Sequence, residues 1–387
     1  MSAMEEVILT EKIPIKLWLS ELEEGALEQA KNIANLPFAF HHIAIMPDSH
    51  QGYGMPIGGV LAADSAIVPN AVGVDIGCGM CSLRTSISDI DTPGLKKILS
   101  NARKRIPVGF KHHKERQPQE WMPEPEGQLP VVESEYESAM FQVGTLGGGN
   151  HFIEIQKGSD GYIWLMIHSG SRNIGYTVAK FYNEKAKKMN EIWFSDAPKD
   201  LAWFPFDSEE YHQYKAEMDF CIDFAFSNRK LMMERLKESV SDIYPGVEFS
   251  GFINKPHNFA AEEVHFGEQL MVHRKGATRA RKGELGMIPG SQGSPSYIVR
   301  GKGNPESFES CSHGAGRVMS RNQARKTLNL QSVKQELDKK GILHAVRGKS
   351  DLDEAPGSYK DIREVMDRQI DLVDIVTELH PLGVIKG

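Results

Sequence analysis

The stretch Met46 to Gly79, MPDSHQGYGMPIGGVLAADSAIVPNAVGVDIGCG, holds two short polar clusters, Asp48 with His50 and Asp75 with Cys78, set among glycines and bordered by apolar runs. Carboxylate, imidazole and thiolate are ligands for divalent transition metals, and Gly73, Gly77 and Gly79 leave room for the backbone to wrap around an ion. A lone cysteine in an apolar segment can equally be a small buried hydrophobe, so the pair takes its meaning from what else converges on it. His151 follows three glycines in VGTLGGGNHFIEI, His168 closes the apolar run of YIWLMIHSGSRNIG, and His257 opens a strand-like return in NKPHNFA. Such ends of apolar runs are where β-rich enzymes place reacting groups. Any one of these histidines could be structural, but their shared setting points to a common site. One thiolate, one carboxylate and three neutral imidazoles serve two ions if the sulfur bridges them. That set suits Mn²⁺, Zn²⁺ or Co²⁺ better than Mg²⁺, and a dinuclear centre points to phosphoryl or nucleotidyl chemistry.

His313, in SCSHGAGRVMSR, has Arg317 and Arg321 close in sequence. Cations around it would keep the imidazole neutral and nucleophilic, able to attack the α-phosphorus of a nucleoside triphosphate whose phosphates the arginines hold; a histidine capping a turn is the alternative. The Gly147–Gly149 run leads into a strand and carries no lysine, which excludes a P-loop. Cys78 and Cys81 form a CxxC, but no second one completes a zinc site and no thioredoxin-like context surrounds it.

These residues need strands to hold them. Apolar runs predict buried strands over 37–47, near Ala66–Val74, after Phe152 and over 162–168, with helices over Leu19–Ala34 and Pro93–Lys104. Residues 117–132, rich in proline, read as loop. Tyr211, Tyr214, Met218, Cys221, Ala225 and Met232 form a helical stripe in a helical lobe spanning about 176–245, a core stripe and no cofactor box. A last helix is predicted to carry Ile362, Val365, Met366, Val373 and Val376. The basic stretch ARKRIPVGFKHHKER, with Phe110 inside it, is either a solvated loop or a contact for a phosphate backbone.

The chain has 387 residues, 40% hydrophobic and 25% charged, with no linker that divides it, so one α+β domain over 1–387 is expected. Four scattered cysteines suit a reducing compartment, and no membrane span or secretory signal is legible, so the expected location is cytoplasmic. The net charge of −7 argues against non-specific coating of nucleic acid.

Taken in order, MPDSHQGYGMPIGG, AVGVDIGCGM, GTLGGGNHFIEI, HSGSRNIG, HRKGATRARKGELGMIPGS, SCSHGAGRVMSR and LGVIKG resemble the successive signatures of the RtcB family of GTP-dependent RNA-splicing ligases, over nearly the whole chain. The resemblance implies an RtcB-like fold, with strands around a central metal and nucleotide pocket and a peripheral helical lobe. It implies an enzyme that seals RNA 3′-phosphate or 2′,3′-cyclic phosphate ends to 5′-hydroxyl ends through an RNA-(3′)pp(5′)G intermediate. By motif, Cys78 would bridge two Mn²⁺ ions, with Asp75 and His151 on one and His168 and His257 on the other. His313 would carry GMP covalently. Asn150 and Arg172 would contact phosphates, as would Arg317 and Arg321, and Glu154, Ser291, Ser296, Tyr359 and Lys386 would hold the guanine nucleotide with Lys275 nearby. Ser49 stands where PDVH is more usual, and Pro295 lies in the GSxGxxS loop. An archease-like activator and a monomeric state fit the same picture. The competing enzyme class is a dinuclear metallophosphoesterase that uses the same ligands without a covalent nucleotide. A non-catalytic RNA-binding module is disfavoured by the acidic balance.

Overall fold

The computed structural model describes residues 4–387. Two mixed-order sheets carry the fold. The first runs Glu6–Ile8, Ile15–Leu17, Ala39–Tyr53, Met55–Ala63, Glu268–Lys275, Asn258–His265; only its Ile15–Leu17 and Ala39–Tyr53 neighbours are parallel. The second runs Phe249–Pro256, Gly79–Thr85, Ile163–Ser169, Phe152–Gly158, Val373–Lys386, Ser296–Gly301, Leu285–Ile288 and is antiparallel throughout.

Both faces of the first sheet are covered, which explains the near-continuous apolar runs of its strands. Ile43, Ile45, Leu61 and Met271 pack into one core, and Ala44, Met46, Val60 and Val272 into another behind it. The second sheet has unlike faces. Ile153, Ile155, Leu165 and Ile167 meet the helices Thr92–Arg105 and Glu209–Ser241, whereas Met80, Trp164, Met166, Met287, Ile298 and Leu379 gather on the other face. Because side chains alternate along a strand, Phe152, Glu154 and His168 fall on the second, inner face. The register then sets Lys386 opposite Phe152 and Phe152 opposite His168, one row across three strands.

Several expectations need correction. Ala66–Val74 is no strand: a two-residue pairing at Ala66–Ile67 leads into a helical turn, Pro69–Val72, with proline at its start and Gly73 at φ +98° behind it. The segment is apolar because it is buried, not because it is extended. The strand lies earlier, over Met55–Ala63, in what reads as a glycine loop. The first helix begins at Glu24 and another starts at Pro130, within the expected loop. The last helix stops at Asp367, and Val373 and Val376 belong to the long strand that ends at Lys386. The stripe on Glu209–Ser241 is buried as expected. No helix of the described residues is long and apolar enough to cross a membrane.

The final strand lies between Phe152–Gly158 and Ser296–Gly301, and its Ile385 is fully buried. Ile385→Ala is therefore expected to cost about 2–5 kcal/mol in a urea melt, where a frayed tail residue would cost almost nothing.

Candidate functional site

The site forms where the two sheets meet. His257 sits in the short link between Phe249–Pro256 of the second sheet and Asn258–His265 of the first, and its N–H donates to the Cys78 carbonyl (2.8 Å). Cys78 immediately precedes Gly79–Thr85, and His168 lies within Ile163–Ser169 beside it. His151 directly precedes Phe152–Gly158.

These residues close into two triads that share one sulfur. Cys78, His168 and His257 form one, and Asp75, Cys78 and His151 the other, with the ligand atoms of each within 4.8 Å of one another. The Cys78 Sγ lies 3.3 Å from His168 Nε2 and 3.5 Å from His151 Nε2. His168 Nε2 is 3.4 Å from His257 Nε2, and His151 Nε2 is 3.1 Å from Asp75 Oδ2. The outer nitrogens fix the tautomers: His151 Nδ1 meets the Leu146 carbonyl at 2.9 Å and His168 Nδ1 the Asn150 carbonyl at 3.1 Å. A carbonyl only accepts, so each Nδ1 carries the proton and each Nε2 turns a lone pair inward. Burial and the neighbouring imidazoles hold His168 and His257 well below the usual histidine range, so both are neutral. Burial raises the Cys78 thiol well above its ordinary value, with Asp75 adding to this and Arg229 opposing it. Inward lone pairs, a buried sulfur and a half-buried carboxylate, with no side-chain cation among them, form a donor set that fits two transition-metal ions.

The neighbouring backbone is shaped for this arrangement. A Cβ on Gly170 would lie 2.1 Å from Asp75 Oδ1, so only glycine lets that carboxylate sit there.

His313 stands beside the triads, its ring centroid 4.8 Å from that of His257. Its immediate partner is a carboxylate, which corrects the expectation of surrounding cations. Asp48 Oδ2 takes His313 Nδ1 at 2.6 Å together with the backbone N–H groups of His313 (3.1 Å) and Gly314 (3.2 Å). Burial would raise the Asp48 carboxyl, but His313 outweighs it and the group is held below its usual range. Asp48 thereby fixes the ring and leaves Nε2 as the free nitrogen.

Arg317 and Arg321 face Glu354 instead. Glu354 Oε1 lies 3.2 Å from Arg317 Nη1 and 3.3 Å from Arg321 Nε, and its Oε2 takes the Tyr359 hydroxyl and lies 3.6 Å from Lys386 Nζ. Burial pushes Glu354 up, but Lys386, Tyr359 and both arginines together bring it below the usual range. These groups line one cavity with His50, Asn150, Phe152, Glu154, His168, Ser291 and His313. Glu154 is pushed up to about 8 by burial, against the Gln156 amide and Lys386.

Three of the residues expected to contact the nucleotide or its phosphates lie outside that lining. Ser296 sits beneath it, where its Oγ accepts from the Gly290 N–H (3.1 Å) and the Gln156 amide (3.1 Å) and shapes the Gly290–Ser291 loop. Lys275 turns away: its ammonium donates to the carbonyls of Tyr53 and Asn70 (2.9 Å), while the next residue, Gly276, is the one against His313. The strand ends at Lys275, and Gly276 turns at φ +60°. Arg172, at φ +60°, stands behind the glycine loop, donates from Nε to Thr145 Oγ1 (3.1 Å), and acts electrostatically on Asp75 and Cys78.

Sequence reasoning missed Glu354, Asn228 and Arg229. Arg229 is fully buried; it donates from Nη1 to the carbonyls of Gly77 (2.7 Å) and Ser169 (2.9 Å) and from Nε to Asn254 Oδ1 (2.6 Å). Asn228 accepts from the Gly144 (2.7 Å) and Thr145 (3.1 Å) N–H groups and donates to Ser169 Oγ (3.1 Å) and the Gly170 carbonyl (3.0 Å). An adjacent Asn-Arg on the apolar side of a helix was the available signal, since such residues are buried only when paired. Glu354, in DLDEAPGSYK, carried none.

A buried cysteine sulfur shared by two ligand triads, next to a histidine oriented by a carboxylate and a cation-rich cavity, is an arrangement suited to nucleotidyl or phosphoryl transfer. The chain belongs to the RtcB family: the family model described as tRNA-splicing ligase RtcB matches residues 29–387. It is 38% identical over 411 residues to the RNA-splicing ligase RtcB of Escherichia coli strain K12, covering 99% of each chain. It is 31% identical to the tRNA-splicing ligase RtcB of Thermococcus kodakarensis, over 94% of this chain and 92% of that one. It is also 31% identical to the RNA-splicing ligase RtcB homolog 2 of Entamoeba dispar, over 94% and 84%.

The Glu154 carboxyl gives a pH-dependent prediction. Its folded-state pKa is raised, so between the usual carboxylate range and about 8 the native state holds a proton that the unfolded chain has lost, and rising pH costs stability across that window. Glu154→Gln removes the titration. Thermal melts should show the variant gaining on the native protein from pH 5 to pH 8, by on the order of a few kcal/mol, then running parallel above it. A constant difference across that range would contradict the buried, neutral carboxyl.

Proposed function

We propose that this chain is an RNA ligase that joins 3′-phosphate or 2′,3′-cyclic phosphate ends to 5′-hydroxyl ends, with GTP as the activating nucleotide and Mn²⁺ in both triads. The ligase names of its relatives support the reaction class. The observation that carries the detailed reading is His313, whose Nδ1 is held by Asp48 at 2.6 Å while its ring abuts His257 of a ligand triad.

In this reading, the His313 Nε2 lone pair forms a bond to the α-phosphorus of GTP as the bond to the β-phosphate oxygen breaks and pyrophosphate leaves. Asp48 holds the ring throughout and stabilises the charge that develops on it. The RNA 3′-phosphate then takes GMP from His313, freeing the imidazole, and the 5′-hydroxyl displaces GMP from the activated end. Asp75, Cys78 and His151 would hold one ion and Cys78, His168 and His257 the other. Bound there, the ions would supply Lewis-acid charge to the reacting phosphates and an activated water for opening a cyclic end. Asn150, Arg317 and Arg321 would neutralise phosphate oxygens, Glu354 holding the two arginines in place until an anion competes for them, while Arg172 would act from behind the glycine loop. Glu154 would accept from the guanine N1–H and amino edge, giving up its proton on binding. Phe152, Ser291, Tyr359 and Lys386 would close the base pocket.

Cys78→Ser should lose metal and activity while remaining folded, because a hydroxyl is a poor anionic bridge between two ions. Elemental analysis alongside circular dichroism checks this, and two ions retained at full occupancy would remove the bridging role.

His313→Ala should fail to take label from GTP yet seal an RNA already carrying a 3′-pp-guanosine cap, with Mn²⁺ and without GTP. Cys78→Ala should fail at both steps. Equal failure of the two variants on capped RNA would mean that His313 does more than carry the nucleotide.

A further inference from the structure

The segment after the helix Thr92–Arg105 has no part in the chemistry above, yet Phe110 within it is 100% exposed. Of the described residues from 75 to 175, it is the only large hydrophobic left exposed, while Val108, two positions earlier, packs against the core. An isolated ring of this kind offers too little apolar area to dock a protein, but enough for one nucleobase.

Its position is tied to the site. The Leu146 N–H donates to the Pro107 carbonyl (2.9 Å) and the Gly109 N–H to the Gly147 carbonyl (3.0 Å), so the segment is laced to the loop that continues into Asn150 and His151. Gly109 takes φ +66°, the left-handed turn that precedes Phe110, and a Cβ built on Gly148 would lie 3.9 Å from its Cα. On the same glycine loop, Gly147 abuts the Arg172 guanidinium and Gly149 that of Arg321. Beyond Phe110, Lys111 and Lys114 are exposed and form no ion pair, whereas Arg116 is paired with Glu137. The chain therefore runs from the exposed Lys111 and Lys114, with Glu115 beside them, past a free aromatic face to the arginines at the site. An aromatic face with adjoining cations is the chemistry that holds single-stranded nucleic acid without regard to sequence.

We propose that Phe110 is a stacking platform for a nucleobase of the RNA strand entering the cavity, with Lys111 and Lys114 against the adjoining phosphates. This rests on the ligase reading. The test is binding of a 3′-phosphorylated single-stranded oligoribonucleotide, followed by fluorescence anisotropy at fixed salt, together with sealing kinetics and labelling by GTP. Phe110→Ala should weaken RNA binding about tenfold and raise the sealing KM, leave the rate of GTP labelling unchanged, and be rescued by Phe110→Tyr. An RNA with one abasic position scanned along the strand should, at one register, bind the native protein as weakly as Phe110→Ala binds the intact strand, with no further loss when the two changes are combined. Native-like RNA affinity and KM in Phe110→Ala would overturn the proposal. So would a matching loss of GTP labelling, which would make the segment a brace for the site, or a change confined to self-association or to the effect of a protein partner. If the native protein binds RNA through Phe110 but neither labels with GTP nor seals, the ligase reading falls and the platform stands.

Discussion

Much of this molecule depends on two adjacent polar side chains buried in the long helix Glu209–Ser241. A guanidinium with no carboxylate partner is costly to bury, and Arg229 is accommodated by carbonyl oxygens and one amide, each on a segment that presents a ligand: Gly77 next to Cys78, Ser169 next to His168, Asn254 three residues before His257. Asn228 does the same for the loop leading to the glycine run. Separate strand ends thus meet at one place because a single helix bonds to a polar group on each of them, backbone in most cases and the Asn254 side chain in one. The positive charge also opposes the rise of the Cys78 thiol. Structural and electronic roles coincide in one residue.

A second feature is that three of the site's histidines are held through their far sides. His151 and His168 are gripped at Nδ1 by carbonyls, His313 at Nδ1 by a carboxylate, and in each case the reactive nitrogen is the one left over. The difference in the gripping group matches the task. Under the proposed reaction a carbonyl would suffice for a neutral ligand, whereas the buried Asp48 would also compensate the charge of an imidazole that has bonded to phosphorus. The arginines, set in a ring around Glu354 together with Lys386 and Tyr359, keep a cation-rich wall folded without an anion bound.

The sequence made the convergence of these side chains legible because several glycine-flanked His, Cys and Asp recur at the ends of apolar runs, and the order of motifs made the family legible. Register was not legible. That Lys386 lines up with Phe152 and His168 depends on which strands pair, and Val373 and Val376 read as helical because a β-branched run near a helix end has no local mark of its partner. Lys275 was misplaced by one position, and His313 was given cationic neighbours because nearness in sequence stood in for nearness in space. Asp48, 265 positions away, was the true neighbour. Glu354 and Arg229 act through partners distant in the chain, so no short motif announces them.

That distance along the chain has a consequence for how the protein comes into being. The contacts at the centre span 73 positions from Cys78 to His151, 90 to His168, and 265 from Asp48 to His313. Non-local contacts of this kind are paid for in loop closure and form late. The two triads and the Asp48–His313 pair draw on positions from 48 to 313 and on both sheets, so a partly folded molecule that lacks either sheet lacks the complete centre. The complete centre depends on the two sheets closing on each other, and under the proposed reaction nucleotide capture would report that closure.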